Sequence, residues 1–158
     1  MGKSKVIVPR KLSVDPKAMA RAITNTLNST ALAIKADFAV TAQTFDDAPT
    51  FTIESPTVYT RAIGTDDENY TRLSVGTRPH IIAPRPGGTL VFRTPFRSKT
   101  LPRQIASGPG SKGGNQVFTR KPIHHPGTAP RQFDQVIAEK WQRQVGALFQ
   151  RAIDSEAS

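Results

Sequence analysis

Apolar residues recur at steps of three or four from Met19 through Ile23, Leu27, Ala31, Ile34, Phe38, Ala42 and Phe45, the spacing that lines one face of an α-helix. Thr24, Asn25, Asn28, Lys35 and Asp37 fall off that stripe. Asp15 before Pro16 supplies the start signal, an acceptor for the first free amides followed by a residue whose missing N–H is no loss at the first helical position. About seven turns, or roughly 40 Å, are expected, ending at Asp46-Asp47-Ala48-Pro49. A second stripe, Phe133, Ile137, Trp141, Val145, Leu148 and Ala152, predicts a C-terminal helix entered through the turn-rich run from His124 to Pro130. On it Glu139 and Arg143 stand four apart, the spacing of a surface ion pair.

Between the helices the period changes to two. Phe51 and Ile53 alternate with Thr50, Thr52 and Glu54, and residues 58–63 continue after Ser55-Pro56, which reads as a hairpin with its turn at that dipeptide. Residues 69–75 fit a short helix or a strand equally, and Gly76-Thr77 ends them. Ile81-Ile82 and residues 89–92 read as two strands joined by Pro84-Arg85-Pro86-Gly87-Gly88, with residues 117–119 as one more. Residues 93–116 hold three prolines and four glycines without hydrophobic periodicity, and a loop of that length in a small domain is commonly a binding element. The expected fold is α+β: a long N-terminal helix and a C-terminal helix packed on a small antiparallel sheet of about five strands, with a long basic Pro/Gly loop. The expected boundaries are a flexible basic N-terminal arm over 1–14, a single domain over 15–154 with 93–116 as its extended loop, and a tail over 155–158. Ile23, Leu27, Phe38, Phe51, Phe92, Phe133 and Trp141 are the expected core.

Composition narrows the chemistry. With 158 residues, 37% hydrophobic and no cysteine, the chain suits one domain with a modest core and excludes disulfide scaffolds, thiolate metal sites and thiol nucleophiles. The longest apolar run near the start, residues 6–8, is shorter than a signal-peptide core, nothing approaches a membrane span, and Val6 stands where a myristoylation signal needs Ser or Thr. The net charge of +10 is regional: residues 1–79 carry ten bases and eight acids, residues 80–158 twelve and four. Between Glu68 and Asp134 there is no acid, against eleven Lys and Arg. Such a stretch faces nucleic acid, an acidic protein surface, or solvent and counterions. Phe92, Phe96 and Phe118 are spaced as core or loop anchors rather than as a stacking platform.

Catalytic patterns are weak. His124 and His125 are adjacent, so they point to opposite sides of an extended chain, and no second cluster completes a metal site; an imidazole before Pro126-Gly127 is better suited to bonding the loop backbone, and His80 beside Pro79 is read the same way. Gly108-Pro109-Gly110-Ser111-Lys112-Gly113-Gly114 lacks phosphate-loop spacing. Asp46, Asp47, Asp66, Asp67 and Glu68 fall at a helix end and a turn, where acids belong for local reasons, and no nucleophile elbow is present. No enzyme, cofactor or metal role is expected.

Taken in order, Ile34-Lys35-Ala36-Asp37-Phe38, Pro49-Thr50-Phe51, Gly76-Thr77-Arg78-Pro79-His80-Ile81-Ile82, Leu90-Val91-Phe92 and His124-His125-Pro126-Gly127-Thr128 with Phe133 resemble a family of tailed-bacteriophage neck and tail-completion proteins, over roughly residues 20–150. The resemblance implies an α+β subunit that joins a homo-oligomeric ring at the head-to-tail junction of the virion, assembled in the host cytoplasm. Its implied partners are copies of itself, the neighbouring head-completion or connector and tail-tube or tail-terminator proteins, and genomic DNA passing through the lumen, with no membrane. Tight contact with DNA would impede its passage, which favours protein-facing roles for most basic residues. Arg93, Arg97, Lys99, Arg103 and Lys112 are the first candidates for partner contacts, and Lys3, Lys5, Arg10 and Lys11 the second. The alternatives are a sequence-independent nucleic-acid-binding module and a small basic nuclease, the latter needing metal-binding carboxylates at Asp66, Asp67 and Glu68.

Overall fold

In the computed structural model, which describes residues 15–105, 110, 111 and 113–157, the order is α1 (Pro16–Ala42), β1 (Thr52–Thr57), β2 (Thr60–Gly64), α2 (Glu68–Val75), β3 (His80–Ile82), β4 (Leu90–Arg93), β5 (Gln116–Thr119), β6 (Ile123–His125) and α3 (Phe133–Glu156). The α+β class and both terminal helices are as expected. Asp15 caps α1 by accepting the Lys17 N–H at 2.9 Å. Helix α3 runs to Glu156, so the tail expected from 155 is largely helix.

The five-stranded sheet does not form. Among the described residues six strands make three separate antiparallel pairs, β1 with β2, β3 with β6, and β4 with β5. The two strands expected to be joined across Pro84–Gly88 therefore pair with other partners. The first hairpin turns at Val58-Tyr59 rather than at Ser55-Pro56, which lies inside β1 where the register shifts between Glu54 and Thr57. A two-stranded ribbon tolerates Pro56 there because each strand has a free edge that asks for no amide. Residues 69–75 belong to helix α2, whose N-cap Asp67 accepts the Tyr70 N–H at 2.6 Å.

The core is small and sits at one end of the helix pair. Ala42, Phe51, Tyr70 and Phe133 are buried, with Phe38, Phe45, Ile63 and Leu73 packed against them. Tyr70 is its hub, with ring centroids at 5.1 Å from Phe51, 5.5 Å from Phe133, 6.1 Å from Phe45 and 6.3 Å from Phe38. Asp37 joins the two long helices through one oxygen, which accepts Lys140 Nζ at 2.6 Å and Trp141 Nε1 at 2.7 Å. Of the expected core residues, Phe51 and Phe133 are buried, Phe38 and Trp141 are partly so, Ile23 and Leu27 line an open groove, and Phe92 is half-buried outside the cluster.

The chain between α2 and α3 is one long, interrupted hairpin. Its root bonds Arg131 N–H to the Leu73 carbonyl and Gln132 N–H to that of Ser74, so the residues leading into α3 satisfy the last carbonyls of α2. Thr77 pairs with Thr128, then His80, Ile81 and Ile82 with His125, His124 and Ile123. Beyond these, Leu90 to Arg93 pair with Thr119 to Gln116, and Arg97 bridges Ser111. The register slips by four between the inner and outer rungs because residues 83–89 face only residues 120–122. Gly76 and Gly127 make the root possible: both have φ above +80°, and a Cβ on either would collide with the carbonyl of the threonine opposite, Thr128 or Thr77.

Candidate functional site

Between Thr77 and Thr128 the chain holds nine Lys and Arg and no acid, and the eight described ones belong to this hairpin. The acid-free stretch is thus a single excursion from the body, and the loop expected over 93–116 is its outer part, with Arg93 and Gln116 already paired as strand. In β4 and β5 the directly opposed pairs alternate between faces. Leu90, Phe92, Val117 and Thr119 are half-buried, whereas Val91, Arg93, Gln116 and Phe118 lie on the other face in solvent. Phe118 is 65% exposed, Phe96 67% and Val91 52%. The reading of Phe96 and Phe118 as anchors is corrected: they stand in solvent among arginines.

Of the sequence-derived candidates, Arg93 and Arg97 are exposed on this outer part and make no side-chain hydrogen bond or ion pair among the described residues. Lys99 is half-buried and lines, with Phe45, Asp46, Asp47, Leu73 and Phe96, an opening of about 260 Å3 beneath the hairpin tip. Arg103 is committed to its own chain. Its guanidinium binds both carboxylate oxygens of Glu139 at 2.9 Å and the Gln132 amide oxygen at 3.1 Å, and its N–H donates to the Arg131 carbonyl. Glu139 is therefore taken by Arg103 rather than by the helical neighbour Arg143. Lys112, Lys3, Lys5, Arg10 and Lys11 lie outside the described residues, as does the N-terminal arm over 1–14.

The histidines serve the hairpin. His80 and His125 are directly paired, with rings 5.0 Å apart. His125 Nδ1 accepts the Gly127 N–H at 3.0 Å, the loop-backbone bond expected of it, and this leaves the ring proton of the neutral form on Nε2. His80 Nδ1 lies 2.8 Å from the Arg78 carbonyl. His124 points to the other face beside Ile81. Among the described residues no group of three or more His, Asp or Glu is placed to hold a metal ion.

Two further features bear on the surface. Met19, Ala20, Ile23 and Leu27 of α1, Phe149 of α3 and Tyr59 at the first hairpin's turn line an apolar groove of about 660 Å3. The expected helix stripe is therefore only half covered. Charge is also segregated: between Ala42 and Thr71 the chain holds Asp46, Asp47, Glu54, Asp66, Asp67 and Glu68 against the single base Arg61, which is turned inward to Asn28 Oδ1 at 2.8 Å. The titration of Tyr70 is displaced. Burial, with the Asp134 carboxylate adding to it, pushes its phenol far above the usual range. No described helix is long and apolar enough to cross a membrane. Searches for matching family models, curated proteins and solved structures find none.

Proposed function

We propose that the chain is a structural assembly protein, one subunit of a homo-oligomeric ring in the head-to-tail neck of a tailed phage. There it acts as a neck or tail-completion component between connector and tail tube, around the DNA channel. The observation that carries the assembly role is uncovered surface. A compact monomer of this mass exposes roughly 7,800 Å2, whereas the chain exposes 11943 Å2. Even with the twenty residues outside the description assigned their full extended area, about 160 Å2 each, roughly 1,700 Å2 remains beyond what the rest requires. That is about what two standard interfaces take from one partner, at ~800 Å2 apiece, and a ring subunit has two neighbours. The phage setting rests on the order of landmark motifs, of which Gly76-Thr77 and Gly127-Thr128 form the root of the long hairpin.

The reading ascribes no catalysis, cofactor or metal to the chain. Its mechanism is burial: apolar faces that a lone copy leaves wet are covered by neighbours, and the long hairpin reaches across the joint. A second reading, sequence-independent nucleic-acid binding, draws on Phe96 and Phe118 exposed beside Arg93 and Arg97, because aromatic rings interleaved with cations suit unpaired bases. Light scattering and negative-stain imaging of the purified chain across a salt series separate the two. Rings, or a monomer that forms rings when mixed with connector or tails, are the expected result. A chain that stays monomeric in all of these and binds DNA with a steep salt slope overturns the assembly role.

A further inference from the structure

We infer that the subunits associate head to tail, the outer part of the long hairpin of one copy docking on the acidic flank of the next. This rests on the assembly reading above and names the two surfaces that meet. The donor surface is the wet face of β4 and β5 with the residues just beyond it: Val91, Arg93, Phe118, Arg97 and Arg120, all exposed. Their cationic groups have no ion-pair partner among the described residues. The acceptor surface runs from Asp47 after α1, through Glu54 on β1, to Asp66 before α2, three exposed carboxylates with no ion-pair partner among the described residues. It has its own wet apolar residue, Val75 at 71% exposure, which shares an opening with Gly64 and Thr65 beside Asp66.

Three observations point to a second copy as the occupant. The opposite charges lie in separate segments of one chain, residues 42–71 and 77–128, so each copy presents both a basic and an acidic surface to its neighbours. The two segments already approach each other within the chain, where Lys99 of the hairpin tip lines the same opening as Asp46 and Asp47. Both surfaces also combine charge with large apolar side chains, the mixture in which charge sets the register while apolar area supplies affinity. Two different patches that meet make a heterologous contact, which closes into a ring when the rotation permits. An isologous dimer would use the same two patches reciprocally between two copies and stop at a dimer mass, whereas a heterologous contact gives each patch a different neighbour.

The chain lends itself to a charge-exchange test. Two variants of the full chain are made, Arg93→Glu with Arg97→Glu, and Glu54→Lys with Asp66→Lys, and each is checked for folding by circular dichroism. Light scattering at ~0.1 M salt is expected to show association at least about tenfold weaker for each variant alone. Mixed in equal amounts the two should recover wild-type mass, because a wild-type ribbon then meets a wild-type flank and a reversed ribbon meets a reversed flank. Variants that associate as tightly as the wild type, or a mixture that stays dissociated, overturn head-to-tail docking while the assembly reading stands. A wild-type chain that never associates, alone or with connector or tails, overturns both. If ribbon reversal abolishes binding to a duplex oligonucleotide and leaves the mass unchanged, the ribbon faces nucleic acid and the inference is wrong.

Discussion

Thr77 and Thr128 exchange both of their backbone hydrogen bonds, at 3.0 and 3.1 Å, and the Thr128 N–H also reaches the Thr77 hydroxyl at 3.0 Å. This single rung fixes where the 50-residue excursion leaves the body and where it returns. The glycine before each threonine is what lets the strands come so close. Gly127→Ala and Gly76→Ala put a methyl at a positive φ and into a facing carbonyl, so each is expected to cost about 2 kcal/mol or more. Urea unfolding followed by circular dichroism should show the lower midpoint with an unchanged slope. Gly146→Ala, in α3 with open space around the position, is expected to stabilise by roughly 0.5–1 kcal/mol through helix propensity.

What was legible in the sequence, and what was not, follows the range of the interactions. Helices α1 and α3 announce themselves through stripes and the Asp15-Pro16 start, because these signals are local. The His125 to Gly127 bond was legible for the same reason. The first turn was misplaced because Val58-Tyr59 has none of the turn chemistry that Ser55-Pro56 displays, and the bulge at Glu54 absorbed the proline instead. The hairpin was missed because His80 and His125 are 45 residues apart and three-residue strands carry no pattern that names their partner. Glu139 shows the same limit: the i, i+4 rule points to Arg143, whereas Arg103, 36 positions away, takes the carboxylate. Of the partner-contact candidates, Arg93 kept a free guanidinium because strand alternation turned it outward, and Arg97 stays exposed beyond the end of β4. Phe118 went unrecognised because its exposure depends on the same pairing.

Tyr70 places a hydroxyl inside the aromatic cluster with no partner for it among the described residues. A buried donor without an acceptor costs about 1–3 kcal/mol, so Tyr70→Phe should leave stability unchanged or raise it by up to ~1 kcal/mol. The variant also removes an alkaline sensitivity. The folded phenol titrates above the unfolded one, so the unfolded chain loses its proton first and stability falls as pH rises past the ordinary tyrosine value near 10. Thermal melts between pH 8 and 11 should show the wild type falling faster than Tyr70→Phe.

The oxygen of Asp37 that serves both Lys140 and Trp141 is the main polar tie between α1 and α3. Lys140 is more than a third exposed, so its ion pair is screened and counts for little; the indole N–H is the costlier group to strand. Asp37→Ala is expected to lose about 2 kcal/mol and to shift Trp141 fluorescence. Asp37→Asn, which keeps an acceptor for the indole, should recover more than half of that loss. Equal losses in the two variants would show that the charge, rather than the acceptor, holds the helices together.

Arg103 pins the hairpin tip to α3, yet both it and Glu139 are about half exposed, at 49% and 48%. A pair so placed contributes at most about 1 kcal/mol to global stability, but with the Ser98–Arg131 and Arg103–Arg131 hydrogen bonds it fastens one segment locally. Glu139→Ala should therefore leave the melting temperature within a few degrees of wild type while residues 98–103 exchange their amide hydrogens several-fold faster, the signature of local opening. Exchange that accelerates equally in α1 and α3 would mean that tip docking supports the whole fold. The distinction bears on assembly, because a tip that opens alone can exchange its contacts with Glu139 for contacts on a neighbouring copy without unfolding the Tyr70 core.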